Sequence, residues 1–446
     1  MTEDAPLPPS AGGVPPSFRP IGELFRPGRE GERVRLRGWI HRGRSSGGIL
    51  FWQVRDGSGL VQVTARRDAL GGEAFDRAEH AQVESSVEVE GTLAADRRAP
   101  GGLEVKAHAL TVVGASDAFP LFADQTEEFR LDHRHLTVRS REMVATLKVK
   151  SELLQGAREF LEGEGYWEMT PPLLSGNAAE GGSEAFTLDY FGQPAYLAQT
   201  AQLYLEALLF PRERVYSITT SFRAEKSRTP RHLCEYTHLE AEVAWAGMEE
   251  NLRLQEQLVT HMVHRVARKR EEDVRFLGRD PQELLRLVPP FERLRYEDAV
   301  RQLKERGFGI SFGADLGTAE ERALTQERSQ PLFVTHYPRA IKAFYMREDP
   351  EDPRTVLAAD LLAPEGYGEL IGGSCREVDL PRLLRRMEEM NIPREPYEWY
   401  LDLRRYGSVP HAGFGLGVER LVRWITRREH IRETTPFPRT PSRLTP

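Results

Sequence analysis

The sequence predicts an α+β protein, with a small all-β unit at the N-terminus and a larger domain built on an antiparallel sheet flanked by helices. Three observations carry this reading. Residues 30–115 contain five short runs of strand-forming residues separated by Gly- or charge-marked turns. From about residue 141 the apolar spacing becomes helical. Beyond it, strand pairs are interleaved with helices but do not alternate as βαβ units, which favours an antiparallel sheet.

The chain has 446 residues, enough for two or three domains. Its first 20 residues, MTEDAPLPPSAGGVPPSFRP, are acidic and then rich in Pro and Gly, a composition that does not order itself. They lack the basic-then-apolar order of a secretory signal, so a cytoplasmic location is expected. No apolar run approaches the roughly 18 residues of a membrane span. Two cysteines, Cys234 and Cys375, make neither a disulfide framework nor a zinc site, and a neutral packing role is expected of both. The net charge of −7 argues against indiscriminate polyanion binding such as coating DNA, while leaving room for a local basic surface.

The five runs are VRLRGWIH, GILFWQVRD, GLVQVTA, SSVEVEGTLAA and LEVKAHALTVV, with a helical insert at about 67–80. That pattern fits a Greek-key barrel of the OB-fold kind over 21–115, with other small barrels as alternatives. A polar connector follows over 116–140. The stretch 143–169 then has helical spacing, stops at Gly163 and Gly165, and runs into a short strand before Pro171-Pro172. A second helix is expected at about 249–272. Residues 281–330 look helix-rich and peripheral, and strand pairs are expected at 331–346 and 355–378.

Residues 219–245, TTSFRAEKSRTPRHLCEYTHLEAEVAW, read as two alternating strands joined by a charged loop. Arg223 and Glu225 share one face of the first. His238, Glu240 and Glu242 share a face of the second, opposite an apolar face of Leu239, Ala241, Val243 and Trp245. The loop carries Lys226, Arg228, Arg231 and His232 and is followed by Tyr236. A solvated charged hairpin is the simpler alternative. A nucleotide site would use the same parts: a fixed Arg for a phosphate, an acid for a base edge, an aromatic for stacking, mobile cations for outer phosphates. In GFGLGVERLVRWI (413–425), Val418, Leu421, Val422 and Ile425 set the buried stripe of a helix starting at about Gly417. Three alternate glycines precede it, with room for a nucleotide near the backbone.

Together these blocks resemble the second (216–245) and third (411–426) signature motifs of the class II aminoacyl-tRNA synthetases. The segment 141–172 resembles the first motif, where members of that family dimerise. The resemblance runs from about residue 30 to the C-terminus. With an OB-fold in front, it is specific to the aspartate, asparagine and lysine subgroup. It implies a class II catalytic domain over 141–446, with ATP as substrate and Mg²⁺ as cofactor. Arg223 and Arg420 would be the catalytic pair. Arg223 would bind the ATP α-phosphate and the amino-acid carboxylate, and Arg420 would cover the adenine and reach the γ-phosphate. Glu225, Leu233, Tyr236 and Gly417 would surround the adenine, with Tyr236 stacked beneath it. Arg231 and His232 would hold outer phosphates, and Asp360 and Glu369 would bind the metal, Glu369 also bordering ATP.

For the amino acid, the resemblance implies Glu180, in AEGGSEAF, and Gln202 at the ammonium, Arg376 and Glu240 at the side chain, and Gly372 and Gly373 alongside. Aspartate-charging members carry Lys three residues after the equivalent of Gln202, where this chain has Leu205. An Arg donor beside a Glu acceptor suits a neutral amide better than an acid. L-asparagine and tRNA(Asn) are therefore the expected substrates. In the barrel, Arg44, Phe51 and Gln62 fall at the family's anticodon-reading positions, with Phe51 stacking on a base. An aspartate-charging enzyme, including one of relaxed tRNA specificity, is the nearest alternative. A synthetase-like enzyme making asparagine from aspartate and ammonia would be expected to lack the barrel. A silent RNA-binding relative would be expected to lack Arg223 or Arg420.

Overall fold

The computed structural model describes residues 17–122, 124–177, 184–226 and 229–446, which form two compact units divided between Gln125 and Thr126. In the first, β1 (Arg33–Ser46), β2 (Ile49–Arg55), β3 (Leu60–Arg66), β4 (Ser86–Ala95) and β5 (Leu103–Gly114) close a barrel in the order β1-β2-β3-β5-β4. Period-two alternation builds it. On β2, Leu50, Trp52 and Val54 are buried inside, while Phe51 and Gln53 face out. Short helices Arg67–Leu70 and Gly72–Glu79 occupy the expected insert, and Phe75 of the second joins the barrel core.

The second unit is organised on an eight-stranded sheet. Its strands are β6 (Trp167–Glu168), β10 (Arg214–Phe222), β11 (Glu235–Ala244), β12 (Glu292–Arg295), β13 (Leu332–Thr335), β14 (Ala358–Ala363), β15 (Gly368–Cys375) and β16 (His411–Gly417). They lie in the order β12-β13-β14-β15-β16-β11-β10-β6, antiparallel through the centre and parallel only at the two edge pairs. A small sheet of β7 (Leu174–Ser175), β8 (Thr187–Tyr190) and β9 (Gln193–Leu197) stands beside it.

Helix Arg141–Gly163 starts where the Ser140 hydroxyl accepts a hydrogen bond from Met143 N–H. Its Val149, Leu153, Ala157 and Leu161 join Val259, Met262, Val263 and Val266 of helix Met248–Lys269 in the main core, against Leu239, Ala241, Ile371, Phe414 and Leu416 of the sheet. The helices therefore cover one sheet face, and the polar alternates His238, Glu240 and Glu242 point to the other. Among the described residues no helix is long and apolar enough to cross a membrane.

Several expectations need correction. Trp245 does not extend the apolar face of β11: the strand ends at Ala244, Trp245 takes φ 62° and its side chain is 71% exposed. Alternation fails there because the backbone reverses. The strand pair expected at 331–346 is one strand, β13, followed by a turn at Arg339–Ile341. The connector 116–140 is not uniformly a linker. Helices Glu127–Asp132 and Arg134–Thr137 belong to the second unit, and buried Arg134 donates to the carbonyls of Arg432, Thr435 and Pro436. Region 281–330 is not merely peripheral, since its helix Thr318–Thr325 sends Glu321 to the cleft described below. Cys234 and Cys375 are free and buried, and burial pushes the Cys375 thiol up to about 11, which keeps it neutral.

Candidate functional site

A cavity of about 750 Å³ lies over the polar face of β11, β15 and β16. Arg223, Glu225, Arg231, His232, Leu233, Tyr236, Glu369, Gly417 and Arg420 line one part of it, and Gln202, Glu240, Gly372, Gly373 and Arg376 another. The sequence pattern thus brings its main candidates into one cleft. Glu180 lies outside the described residues.

At the first end, Arg223 follows β10, and its backbone N–H donates to the Cys234 carbonyl at 2.9 Å, prolonging the ladder into the loop. Its guanidinium lies 3.7 Å from Glu225 and 5.8 Å from the Tyr236 ring centre. Arg420, on the first turn of helix Val418–Ile425, reaches Glu369 at 3.0 Å. Its neighbour Glu419 is buried and accepts from Thr237 N–H, the Thr237 hydroxyl and Lys150 Nζ, at 3.0, 2.9 and 2.6 Å. One carboxylate therefore pins the start of this helix to β11 and to helix Arg141–Gly163, which fixes where Arg420 points. Desolvation alone would raise the Glu369 pKa. Arg420, Lys342, Arg223 and Arg231 outweigh it and hold the group at about 2, an anion at any ordinary pH.

Arg231 is hydrogen-bonded to Glu321, whose Oε2 also accepts from Glu369 N–H at 2.9 Å. Burial pushes Glu321 up to about 7 against the opposing pull of Arg231. His232 does not match its expected cationic role. Desolvation and the nearby Arg420 guanidinium push it down to about 4, so at neutral pH it offers hydrogen bonds without charge.

Asp360 on β14 and Glu369 on β15 converge over Gly372. A Cβ placed there would sit 3.4 Å from Asp360 Oδ1 and 3.5 Å from Glu369 Oε1, so only a glycine leaves this point open. Two carboxylates facing one open point fit a hard cation. Lys342, 2.9 Å from Asp360, now supplies positive charge there. Among the described residues no three His, Cys, Asp or Glu side chains form a metal cage, so a divalent ion here needs further oxygens from a ligand.

Two of the alternate glycines of β16, Gly413 and Gly415, make room for side chains of β11. A Cβ on Gly413 would lie 2.1 Å from Glu242 Oε1, and one on Gly415 would lie 2.4 Å from His238 Nε2. They let the β11 side chains lie across the sheet. Gly373 likewise turns its α-face away from the cleft, towards Gln255 and Phe414, and contributes only main chain.

At the other end, Arg376 is buried and forks onto Glu242, Nε to Oε2 at 3.2 Å and Nη2 to Oε1, while Nη1 donates to Ser374 at 2.7 Å. Burial lowers the Arg376 pKa, but the Glu242 carboxylate more than reverses that and raises it. Buried Glu240 accepts from the Thr200 hydroxyl and from Ala201 N–H at 2.8 Å. Gln202 donates from Nε2 to Glu206 at 3.0 Å. Leu205 is fully buried among Ala201, Leu209, Val215, Ala244 and Val409, so it contributes an absence of charge and no contact.

In the barrel unit, Arg44 pairs directly across from Phe51, with its guanidinium carbon 4.9 Å from the ring centre. Phe51 faces outward on β2, Gln62 faces outward on β3, and the Gln62 amide donates to Glu104 at 3.1 Å. The barrel-core alternative for Phe51 is thereby excluded. Glu321, Lys342, Glu419 and Glu206 escaped the sequence reading. Each is an ordinary charged residue in its local pattern, and only the tertiary fold gives it a partner.

Residues 126–441 match the family model described as "tRNA synthetases class II (D, K and N)", and residues 34–113 match an OB-fold nucleic acid binding domain. The chain is 51% identical over 421 residues to the asparagine–tRNA ligase of Thermococcus kodakarensis, covering 94% of this chain and 97% of that protein. It is similar to the crystal structure of asparaginyl-tRNA synthetase from Pyrococcus horikoshii complexed with asparaginyl-adenylate, with TM-score 0.93 and 48% identity, over 95% of this chain and 98% of that one. A putative aspartyl-tRNA synthetase from Leishmania major shares the fold with TM-score 0.85 but only 25% identity, over 99% and 97% of the two chains.

Proposed function

The chain belongs to the class II tRNA synthetases of the aspartate, lysine and asparagine group, and from that premise we infer that it acts as an asparagine–tRNA ligase. It activates L-asparagine with ATP to asparaginyl-adenylate and pyrophosphate, then transfers asparagine to the 3′-end of tRNA(Asn). The observation that carries asparagine over aspartate is the charge around Arg376. Its guanidinium is already matched by Glu242, with Glu240 beside it and Glu206 beneath. An acidic side chain entering there would meet the Glu240 carboxylate and a guanidinium already paired with Glu242, whereas a neutral amide can accept from Arg376 and donate to Glu240.

We assign the residues as follows. Arg223 binds the α-phosphate and the asparagine carboxylate and stabilises charge developing at phosphorus. Tyr236 and Arg420 sandwich the adenine, Glu225 and the Leu233 main chain meet its edge, and Gly417 lets it close on the backbone. Arg420, Arg231 and His232 meet the outer phosphates, Arg231 by exchanging Glu321 for a phosphate. Gln202 and Glu180 hold the ammonium. Asp360 and Glu369, over Gly372, would hold Mg²⁺ together with phosphate oxygens, and when bound the ion neutralises phosphate charge. No side chain acts as nucleophile. The catalysis is positioning plus electrostatic stabilisation.

The barrel would read the anticodon through Arg44, Phe51 and Gln62. The segment 141–172 would form a homodimer interface, and exposed Trp167 within it supports an apolar contact there. The enzyme would act in the cytoplasm, with neither DNA nor a membrane as partner.

Charging of a tRNA(Asn) transcript with asparagine tests this reading. Phe51→Ala should raise the KM for tRNA by about 10-fold, the loss of one base stack, and leave asparagine-dependent pyrophosphate exchange unchanged. Equal losses in both assays would remove the anticodon role from Phe51.

A further inference from the structure

Beneath the amino-acid end of the cleft lies a buried ionic cluster around Glu206 whose hydrogen bonds the chemistry above does not use. Glu206 is 1% exposed. It receives hydrogen bonds from Tyr400 Oη at 3.0 and 2.8 Å, Arg404 Nη2 at 2.8 Å and His411 Nε2 at 3.0 Å. Its remaining partner is Gln202 Nε2 at 3.0 Å. Gln202 opens helix Gln202–Leu208 and Glu206 lies four residues on, so the two share a helix face.

We propose that Glu206 is the positioning residue of the amino-acid subsite, fixing the Gln202 amide so that its carbonyl oxygen, and not its NH₂, meets the substrate ammonium. The inference rests on Gln202 holding that ammonium, as read above. An unrestrained terminal amide can present either end, and an ammonium has only donors, so half of the orientations would repel it. An ionised carboxylate has only acceptors and therefore selects the NH₂. Three donors besides Gln202 keep Glu206 in that form; although burial opposes it, Arg404 and His411 hold its carboxyl well below the usual range. The frame continues upward, because Gln202 N–H donates at 3.0 Å to the Thr200 hydroxyl, which itself donates to Glu240. The group that sorts the ammonium is thus braced against the group that sorts the amide.

A double-mutant cycle read by pyrophosphate exchange tests this. Gln202→Ala and Glu206→Gln should each raise the KM for asparagine by about 10-fold or more with the KM for ATP unchanged, and the double variant should be no worse than Gln202→Ala. Inhibition by succinamic acid, which is asparagine without its amino group, should change by less than about 2-fold in Glu206→Gln. If Glu206→Gln does not fold, Tyr400→Phe, which removes one donor to the carboxylate and keeps the ring, replaces it in the same cycle with a smaller expected rise. Additive effects, or succinamic acid weakened in proportion to asparagine, would overturn the proposal while leaving the ammonium role of Gln202 standing. An unchanged asparagine KM in Gln202→Ala would instead overturn that role.

Discussion

Replacing Arg223 by alanine is expected to lower asparagine-dependent pyrophosphate exchange by about 10³-fold, the loss typical of removing one preorganised group that stabilises transition-state charge. The reasoning begins in the hairpin. The backbone bond to Cys234 fixes where the side chain leaves the sheet, and Glu225 and Tyr236 bracket the guanidinium at the cleft wall. It is partly exposed, and Arg420, Lys342 and Arg231 still face Glu369 in its absence, so the fold should survive. Sedimentation of the variant should match that of the parent protein. Near-normal exchange by a folded Arg223→Ala enzyme would refute its assignment at the α-phosphate.

Arg376→Ala should do two kinds of damage. Glu242 would be left buried without its partner, and stranding one member of a buried pair costs about 3–5 kcal/mol. Burial already pushes the Glu242 carboxyl up to about 7 with Arg376 opposing, so without Arg376 it should rise further. Asparagine activation should be lost as well, since the amide oxygen loses its donor. Arg376→Lys separates the effects: the ammonium restores part of the stability but not the two-pronged geometry, so activation should stay low. Equilibrium denaturation and exchange measured on both variants check this. An Arg376→Ala protein as stable as the parent would show that the Glu242 pair does not hold the sheet together.

The sequence pattern exposed the scaffold of this site more clearly than its wiring. Alternation along 235–244 correctly put His238, Glu240 and Glu242 on one face, because period two is a local property of extended backbone. It could not show that Trp245 turns away, since a positive φ at a bulky residue leaves no compositional trace. Nor could it show that Glu242 belongs to Arg376, 134 positions distant, or that Glu321 meets Arg231 across 90. The basic composition of its loop suggests that His232 is a cation, whereas desolvation, with Arg420 from a distant helix and Arg231 beside it, makes it neutral. The resemblance to known motifs located the cleft residues, but the pairs that set their charge arise only when distant strands come together.

Asparagine over aspartate is the central claim, and pyrophosphate exchange with the two amino acids side by side tests it most directly. Leu205 supplies no cation, and Glu242 already matches Arg376, with Glu240 beside it. Exchange should therefore be faster with asparagine, by at least about 100-fold in kcat/KM, the discrimination reached when a wrong partner leaves buried polar groups unpaired or opposed. Exchange faster with aspartate than with asparagine would contradict it.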